Sequence, residues 1–159
     1  TGKIKQETIV DYLEYIKDTC MIFSLENICA KLQDKISTQK YYFIDNGLLN
    51  LFLLDPDTSL LENLTAIYLH EKYGEDLYYY NDNVEVDFCL FEQGKAFQVS
   101  YSIQDSTTRE RETKALIAYA KRYDGSQLYI ITMDEEEEIK LDGCTIQVIP
   151  IWKMLLKGI

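Results

Sequence analysis

The sequence has few of the residues from which metal-bound or disulfide-linked small domains are built. It contains one histidine, two prolines and four cysteines, and the cysteines are widely scattered without a Cys-x-x-Cys pair. A zinc site of clustered Cys and His ligands is therefore not expected. We expect the four thiols to remain reduced, in a cytoplasmic protein.

Long hydrophobic runs are also missing. The longest, residues 48–54, is interrupted by Asn50 and is far shorter than the ~20 residues of a membrane helix. No signal peptide is recognisable, so we expect no membrane partner. The hydrophobic fraction of 47% and the 13 tyrosines indicate a globular protein.

Positive charge is scarce. The net charge of −11 opposes non-specific binding to nucleic acid, since a polyanion is repelled. Residues 55–96 carry ten acids and two lysines, whereas residues 107–122 carry five basic residues and two glutamates. If a phosphate backbone is bound, Arg109, Arg111 and Lys114 are the predicted contacts. A solvated helix face is the more common role of such residues.

The first 54 residues predict a helix over 8–20 and short strands over 21–25 and 40–44, followed by a turn at Asp45-Asn46-Gly47. This is either half of a winged-helix unit or a helical layer packed on the main core. We place a boundary between residues 1–54 and 55–159. Because the chain begins at Thr1 without a methionine, we expect it to come from a larger protein.

The second part predicts an α/β core. A break at Asp55-Pro56-Asp57 precedes a helix with apolar residues on two sides. Further elements are then predicted in this order: strands over 77–80, 84–91 and 96–101, a helix over 108–122, a buried strand over 127–133, a strand over 144–149 and a helix over 152–156. The strands over 96–101 and 127–133 should be parallel. We place His70 and the acidic run at residues 134–138 on the surface.

Several ordered segments carry a resemblance to a known family: residues 40–48, Leu61-Glu62-Asn63, Glu85-Val86-Asp87-Phe88, Gln98-Val99-Ser100-Tyr101, Thr108, Arg111-Glu112 and Ala115-Leu116. Together they resemble the PD-(D/E)XK nuclease core. More narrowly, they look like the C-terminal domain, catalogued as of unknown function, of predicted AAA+-type ATPases. The resemblance implies a restriction-endonuclease-like core, αβββαβ with a mixed sheet flanked by helices, and an ATPase module as partner.

The resemblance also implies a site. In such nucleases, carboxylates hold Mg²⁺ and a lysine supports the nucleophile. Glu62 matches the helix acid and Asp87 the first strand acid, which makes these two the metal ligands. Gln98 and Ser100 stand where the second acid and the lysine belong, so the catalytic set is incomplete. Arg111 and Glu112, predicted in the first turn of the next helix, could restore some charge.

Strand geometry predicts how these residues meet. If the hairpin loop is Glu92 to Lys95, Cys89 lies opposite Gln98 and Asp87 opposite Ser100, so Asp87, Gln98 and Ser100 share one face. The residues of the other face, which should point into the second layer, are Val84, Val86, Phe88 and Leu90.

Each site residue also has an ordinary structural interpretation. Ser59 three residues before Glu62 has the spacing of a capping box, and Gln98 and Ser100 could be solvent-facing strand residues. Asp87 is harder to explain in this way, because an acid between apolar strand neighbours needs a partner or solvent.

Three functions remain open. No Walker A pattern occurs, so ATP hydrolysis is not expected of this chain. The leading hypothesis is a non-catalytic nuclease-fold domain that binds nucleic acid or a protein partner for an ATPase. The alternatives are an active Mg²⁺-dependent DNA nuclease and a module that binds only proteins.

Overall fold

The structure is a computed structural model that describes residues 6–31, 38–54 and 56–159. Its helices and strands are, in chain order, α1 (Gln6–Asp18), β1 (Ile22–Leu25), β2 (Lys40–Phe43), α2 (Asn46–Asn50), α3 (Asp57–Tyr73), β3 (Leu77–Asn81), β4 (Glu85–Leu90), β5 (Lys95–Val99), α4 (Ser106–Arg122), β6 (Gln127–Thr132), β7 (Glu137–Leu141), β8 (Cys144–Pro150) and α5 (Ile151–Lys157). Asp55, the first residue of the predicted break, lies outside the described residues.

Six strands form one mixed sheet in the order β3-β4-β5-β6-β8-β7. β3, β4 and β5 are antiparallel, β5, β6 and β8 are parallel, and β7 runs antiparallel to β8. The parallel pairing of β5 and β6 around α4 confirms the prediction for these strands. The architecture agrees with the expectation of a mixed sheet flanked by helices.

The sheet buries a separate apolar cluster on each face. One cluster joins α3, α5 and the N-terminal strands around Phe88 and Phe97, and the other joins α4 to the sheet around Ala96 and Ile130. Helices on both faces explain why β6 is an almost continuous apolar run.

A β-bulge in β4 changes which side chains face α4. Tyr78 of β3 pairs with Cys89 but Tyr80 pairs with Val86, so β4 carries one extra residue in this stretch. Val86 therefore packs in the α4 cluster whereas Phe88 packs in the α3 cluster. The prediction that Val84, Val86, Phe88 and Leu90 share one layer is wrong, because a bulge reverses the alternation.

The N-terminal elements form a layer against the α3 side of the sheet. β1 and β2 pair antiparallel as a separate two-stranded sheet. Phe23, Leu25 and Tyr42 of these strands are buried in the same cluster as Phe88. This packing brings the side chains of β2 over the end of β4.

One local prediction is wrong and one strand was missed. The predicted turn at Asp45-Asn46-Gly47 is instead the start of α2, because the Asp45 carboxylate accepts hydrogen bonds from the Gly47 and Leu48 backbone N–H groups and caps the helix. As predicted, none of the residues of the acidic run at 134–138 is buried, but the run extends into β7, a strand that was not predicted and that pairs with β8 at the edge of the described sheet. Edge strands tolerate charged side chains, which is why composition concealed this strand.

None of the helices in the described part of the chain combines the length and apolar composition that crossing a bilayer requires.

Candidate functional site

The β4–β5 ladder ends at the Phe88–Phe97 pair, and two side chains continue the hydrogen bonding beyond it. Gln98 Oε1 accepts a hydrogen bond from the Asp87 backbone N–H at 2.8 Å. Asp87 Oδ2 accepts one from the Val99 backbone N–H at 2.9 Å. Polar side chains therefore replace backbone hydrogen bonds at this end of the hairpin.

The predicted register of this hairpin is wrong by two residues. Cys89 pairs with Ala96 rather than with Gln98, because the loop runs from Phe91 to Gly94. Gly94 has a φ of 61° at the last loop position, a conformation that glycine adopts without strain. A shift of two leaves every side chain on the same face, so alternation could not reveal the error.

Glu112 lies on the other side of the Gln98 amide. Gln98 Nε2 donates to Glu112 Oε2 at 2.8 Å, and Glu112 is only 4% exposed. The Arg111 Nε donates to Glu112 Oε1 at 2.9 Å. Because Asp105 caps α4 and the helix begins at Ser106, Arg111 and Glu112 lie in its second turn and not, as predicted, in its first.

Glu62 projects from α3 towards the same region. Its Oε1 accepts a hydrogen bond from the Tyr42 hydroxyl at 2.9 Å. The capping-box interpretation is wrong, because α3 begins at Asp57 after Pro56 and Ser59 already lies inside the helix. Burial, followed by the charges of Glu62 and Asp87, raises the pKa of the Tyr42 hydroxyl, so Tyr42 remains a proton donor.

Lys40 is a site residue that the sequence analysis missed. Its ammonium forms an ion pair with Glu85 and lies 3.6 Å from Asp87 Oδ1. Burial lowers its pKa, but attraction to Asp87 and hydrogen bonding to Glu85 outweigh that effect, so the pKa of Lys40 lies above its ordinary value. The available signal was the two-residue strand period, which places Lys40 and Tyr42 on one face of β2.

Asp87 lies at the centre of this group. Burial and, after it, the Glu62 carboxylate raise the pKa of Asp87, whereas Lys40 and the Val99 N–H lower it, and the net result is a pKa of about 7 in place of the usual 3.8. The free energy of removing this charge from water exceeds what a single ammonium returns. Asp87 consequently changes protonation near neutral pH.

Ser100 does not join the group. Its hydroxyl donates to the Ser102 carbonyl at 2.9 Å, and its backbone N–H donates to the Ile131 carbonyl. Ser100 is buried and is not among the residues that line the cavity beside Asp87. Of the four residues predicted to meet, the structure brings together Glu62, Asp87 and Gln98.

A cavity of about 640 Å³ opens beside these residues. It lies between the first turns of α3 and the first half of α4. The charged side chains that line it are five acids and two bases: Glu62, Glu85, Asp87, Glu110, Glu112, Arg111 and Lys114. An excess of acids gives the cavity a negative potential, which favours a cationic occupant over a phosphate.

Of the three predicted phosphate contacts, two form ion pairs with acids and one is exposed to solvent. Arg109 binds Glu137 of β7 through two hydrogen bonds of 2.6 and 2.7 Å. Arg111 pairs with Glu112 and keeps 73% of its side-chain surface exposed. Lys114 is exposed at the cavity wall. The basic segment therefore forms no continuous positive surface at the cavity.

Mg²⁺ does not fit the donor set as it is arranged. Among residues 6–31, 38–54 and 56–159, no group of three or more His, Cys, Asp or Glu side chains could hold a metal ion. Tyr42, Lys40 and the Val99 N–H engage oxygens of the two predicted ligands, Glu62 and Asp87. Mg²⁺ needs an almost ideal octahedron of oxygens, so these partners would have to be displaced first.

Comparison with known proteins yields two matches. A family model described as a domain of unknown function, DUF8612, matches residues 1–59. An uncharacterized protein of Methanocaldococcus jannaschii is 37% identical over 167 aligned positions, which cover 97% of this chain and 37% of that protein. The chain thus spans little more than a third of the length of this curated relative. No solved structure matches the chain.

Proposed function

We propose that the chain is a non-catalytic accessory domain with a restriction-endonuclease-like core, and that it binds a protein partner. The observation that carries this proposal is the bonding of the Gln98 carboxamide. Its oxygen accepts from Asp87 N–H, and its nitrogen donates to the Glu85 carbonyl and to Glu112. In the nucleases that the chain resembles, this position supplies an acid to the metal. Here it holds two strands and a helix together.

The residue that stands where the resembled nucleases have their catalytic lysine supports the same proposal. Ser100 stands there, and its hydroxyl is bonded to the Ser102 carbonyl, away from the cavity. A hydroxyl cannot supply the positive charge that an ammonium gives to a developing negative charge. The two substituted positions therefore both serve internal structure.

A protein partner is favoured over nucleic acid by charge and by exposed apolar surface. The cavity is lined by an excess of acids. On α1, by contrast, the exposed large side chains are Ile9, Tyr12, Tyr15 and Ile16. An apolar helix face of this kind is typical of a protein-binding surface. The occupant that we propose for it is the ATPase module that the family resemblance implies, which would also supply ATP hydrolysis.

The test of the non-catalytic proposal is cleavage of supercoiled plasmid with Mg²⁺ or Mn²⁺. We expect no nicking above background by the wild-type chain or by Asp87→Ala, and a gain of nicking when Gln98→Glu is combined with Ser100→Lys. Nicking by the wild type that disappears in Asp87→Ala would overturn the proposal.

Binding of duplex DNA, followed by fluorescence anisotropy at physiological salt, tests the choice of partner. We expect no saturable binding, because two of the three predicted contacts, Arg109 and Arg111, are paired with acids. The control is Lys121→Glu, which alters an exposed residue of α4. If the wild type binds saturably, and binding is lost in Arg111→Glu plus Lys114→Glu but kept in Lys121→Glu, the partner is nucleic acid and the proposal of a protein partner is wrong.

One observation favours a second candidate, a Mg²⁺-dependent nuclease whose lysine has moved to another strand. The Lys40 ammonium lies 3.6 Å from Asp87 Oδ1. Under this candidate the wild type nicks the plasmid and Lys40→Met abolishes the nicking. Under the leading proposal, neither the wild type nor Lys40→Met nicks the plasmid.

A further inference from the structure

The Lys40 ammonium is held in a fixed place between two strands of the core. It pairs with Glu85 and lies 3.6 Å from Asp87 Oδ1. The ring of Tyr79 lies beneath it, with the ammonium 5.2 Å from the ring centroid. The Lys40 side chain is only 24% exposed. Two carboxylates and an aromatic face, all natural partners of a cation, therefore fix one ammonium group.

The carboxylates around Lys40 are stabilised by a cation. Glu62, Glu85 and Asp87 all attract its charge. Acids placed this close together repel one another, and either protonation or a nearby cation relieves that repulsion. A divalent metal ion recruited from solution is one such cation, and an ammonium attached to the chain is another.

We infer that the Lys40 ammonium is the resident cation of this site and that it excludes divalent metal ions from the Asp87 carboxylate. The inference deepens the proposed non-catalytic function and rests on it. Because Lys40 is attached to the same folded chain, its effective concentration at Asp87 is far above that of any free ion.

The other cations at the cavity do not have this geometry. Arg111 binds Glu112 and is mostly exposed, and Lys114 lies exposed at the cavity wall. Neither is among the ion-pair partners of Asp87 in the described part of the chain. Lys114 is therefore a matched control for the removal of one positive charge near the cavity.

Lys40 also connects two parts of the molecule. It belongs to β2, within residues 1–59 matched by the domain of unknown function, whereas its acidic partners lie on α3 and β4. Tyr42, on the same strand, binds Glu62. The N-terminal layer thus contributes the counter-ion of a site whose acids belong to the core.

The test is calorimetric titration of Mn²⁺, without DNA, into the wild type, Lys40→Met and Lys114→Met. Methionine keeps most of the apolar stem of lysine and removes the charge. We expect Lys40→Met to bind Mn²⁺ at least tenfold more tightly than the wild type, and Lys114→Met to change affinity by less than about twofold. The gain should disappear in Lys40→Met combined with Asp87→Asn.

Equal gains in Lys40→Met and Lys114→Met would overturn the inference, because the effect would then be general electrostatics. A folded Lys40→Met that binds Mn²⁺ no better than the wild type would also overturn it. If Lys40→Met unfolds, millimolar Mn²⁺ should restore its circular dichroism spectrum, and failure to do so counts against the inference. Plasmid nicking by the wild type is a separate readout, so failure of the proposed function would be recognised independently.

Discussion

The N-terminal layer exposes apolar side chains of a kind that proteins usually bury, whereas the core around the sheet buries polar side chains of a kind that proteins usually expose. On α1, Tyr12 and Tyr15 are 58% and 66% exposed, whereas Gln98 and Glu112 in the core are 5% and 4% exposed. Buried polar groups need hydrogen-bond partners, and Gln98 and Glu112 find theirs within the chain. Exposed apolar groups gain free energy only by contact with another surface. The comparison shows that hydrogen bonds within the chain satisfy the polar site, whereas large side chains of α1 remain exposed to solvent.

The largest expected effect is that of Gln98→Ala. This change removes the partners of the Asp87 N–H, the Glu85 carbonyl and the Glu112 carboxylate in one step. We expect the free energy of unfolding, measured with urea, to fall by about 3–5 kcal/mol, because buried groups are left without partners.

The control for Gln98→Ala is Gln127→Ala, which alters an exposed strand residue and should change stability by less than about 0.5 kcal/mol. Similar losses in the two variants would show that the buried amide is no more important than a surface one, and the contrast between the two regions would fail.

The second prediction concerns pH. Burial raises the pKa of Asp87 to about 7, above its unfolded value near 3.8. The folded state therefore binds more protons between about pH 4 and pH 7, and the contribution of Asp87 to stability is lost as the pH rises through that window. The wild type should lose stability relative to Asp87→Asn over this range, by at most about 1.4 kcal/mol per pH unit.

Urea unfolding at several pH values measures this difference. Asp124→Asn, on an exposed turn, controls for the loss of one surface carboxylate. A difference between the wild type and Asp87→Asn that stays constant from pH 4 to pH 7 would contradict the account of the buried carboxyl.

The third prediction compares neighbouring tyrosines on β2. Tyr42→Phe removes the hydrogen bond to the Glu62 carboxylate and should lower the free energy of unfolding by about 1–2 kcal/mol. Tyr41→Phe removes a hydrogen bond to Gln39, and we expect a loss of less than about 0.5 kcal/mol. A larger loss in Tyr41→Phe would mean that β2 is not anchored through Glu62.

The smallest effect on stability is expected on α1. Tyr12→Gln plus Tyr15→Gln should change the free energy of unfolding by less than about 0.5 kcal/mol per site, because both rings are mostly exposed. If the proposed ATPase module binds here, calorimetry should show that the same change weakens its binding at least tenfold. Unchanged affinity in a folded double variant would remove α1 from the interface.

Local patterns were sufficient to predict most of the secondary structure, since α3, α4 and the strands of the sheet other than β7 have clear periodicity or apolar runs. The bulge in β4 was not predictable in this way, because apolar residues alternate without interruption from Val84 to Leu90 in the sequence, although the bulge places Val86 and Phe88 on opposite faces. The hairpin register was missed for a related reason, since a shift of two residues preserves every face.

The site was predictable in part. Asp87 was identified because an acid between apolar strand residues needs a partner, but its partner Lys40 lies 47 residues earlier in the chain. Only tertiary packing of β2 against the core brings these two side chains together. The burial of Glu112 was likewise invisible, because the cap at Asp105 determines which turn of α4 meets the sheet.

The most direct test of the central claim, that the chain's own groups occupy the site, is paramagnetic broadening by Mn²⁺ in the nuclear magnetic resonance spectrum of the wild-type chain. We expect the backbone amide signals of Asp87 and Val99, and the side-chain amide signal of Gln98, to remain sharp at submillimolar Mn²⁺. Selective broadening of these signals at micromolar Mn²⁺, abolished by Asp87→Asn, would show a metal site that the chain leaves open and would contradict the account.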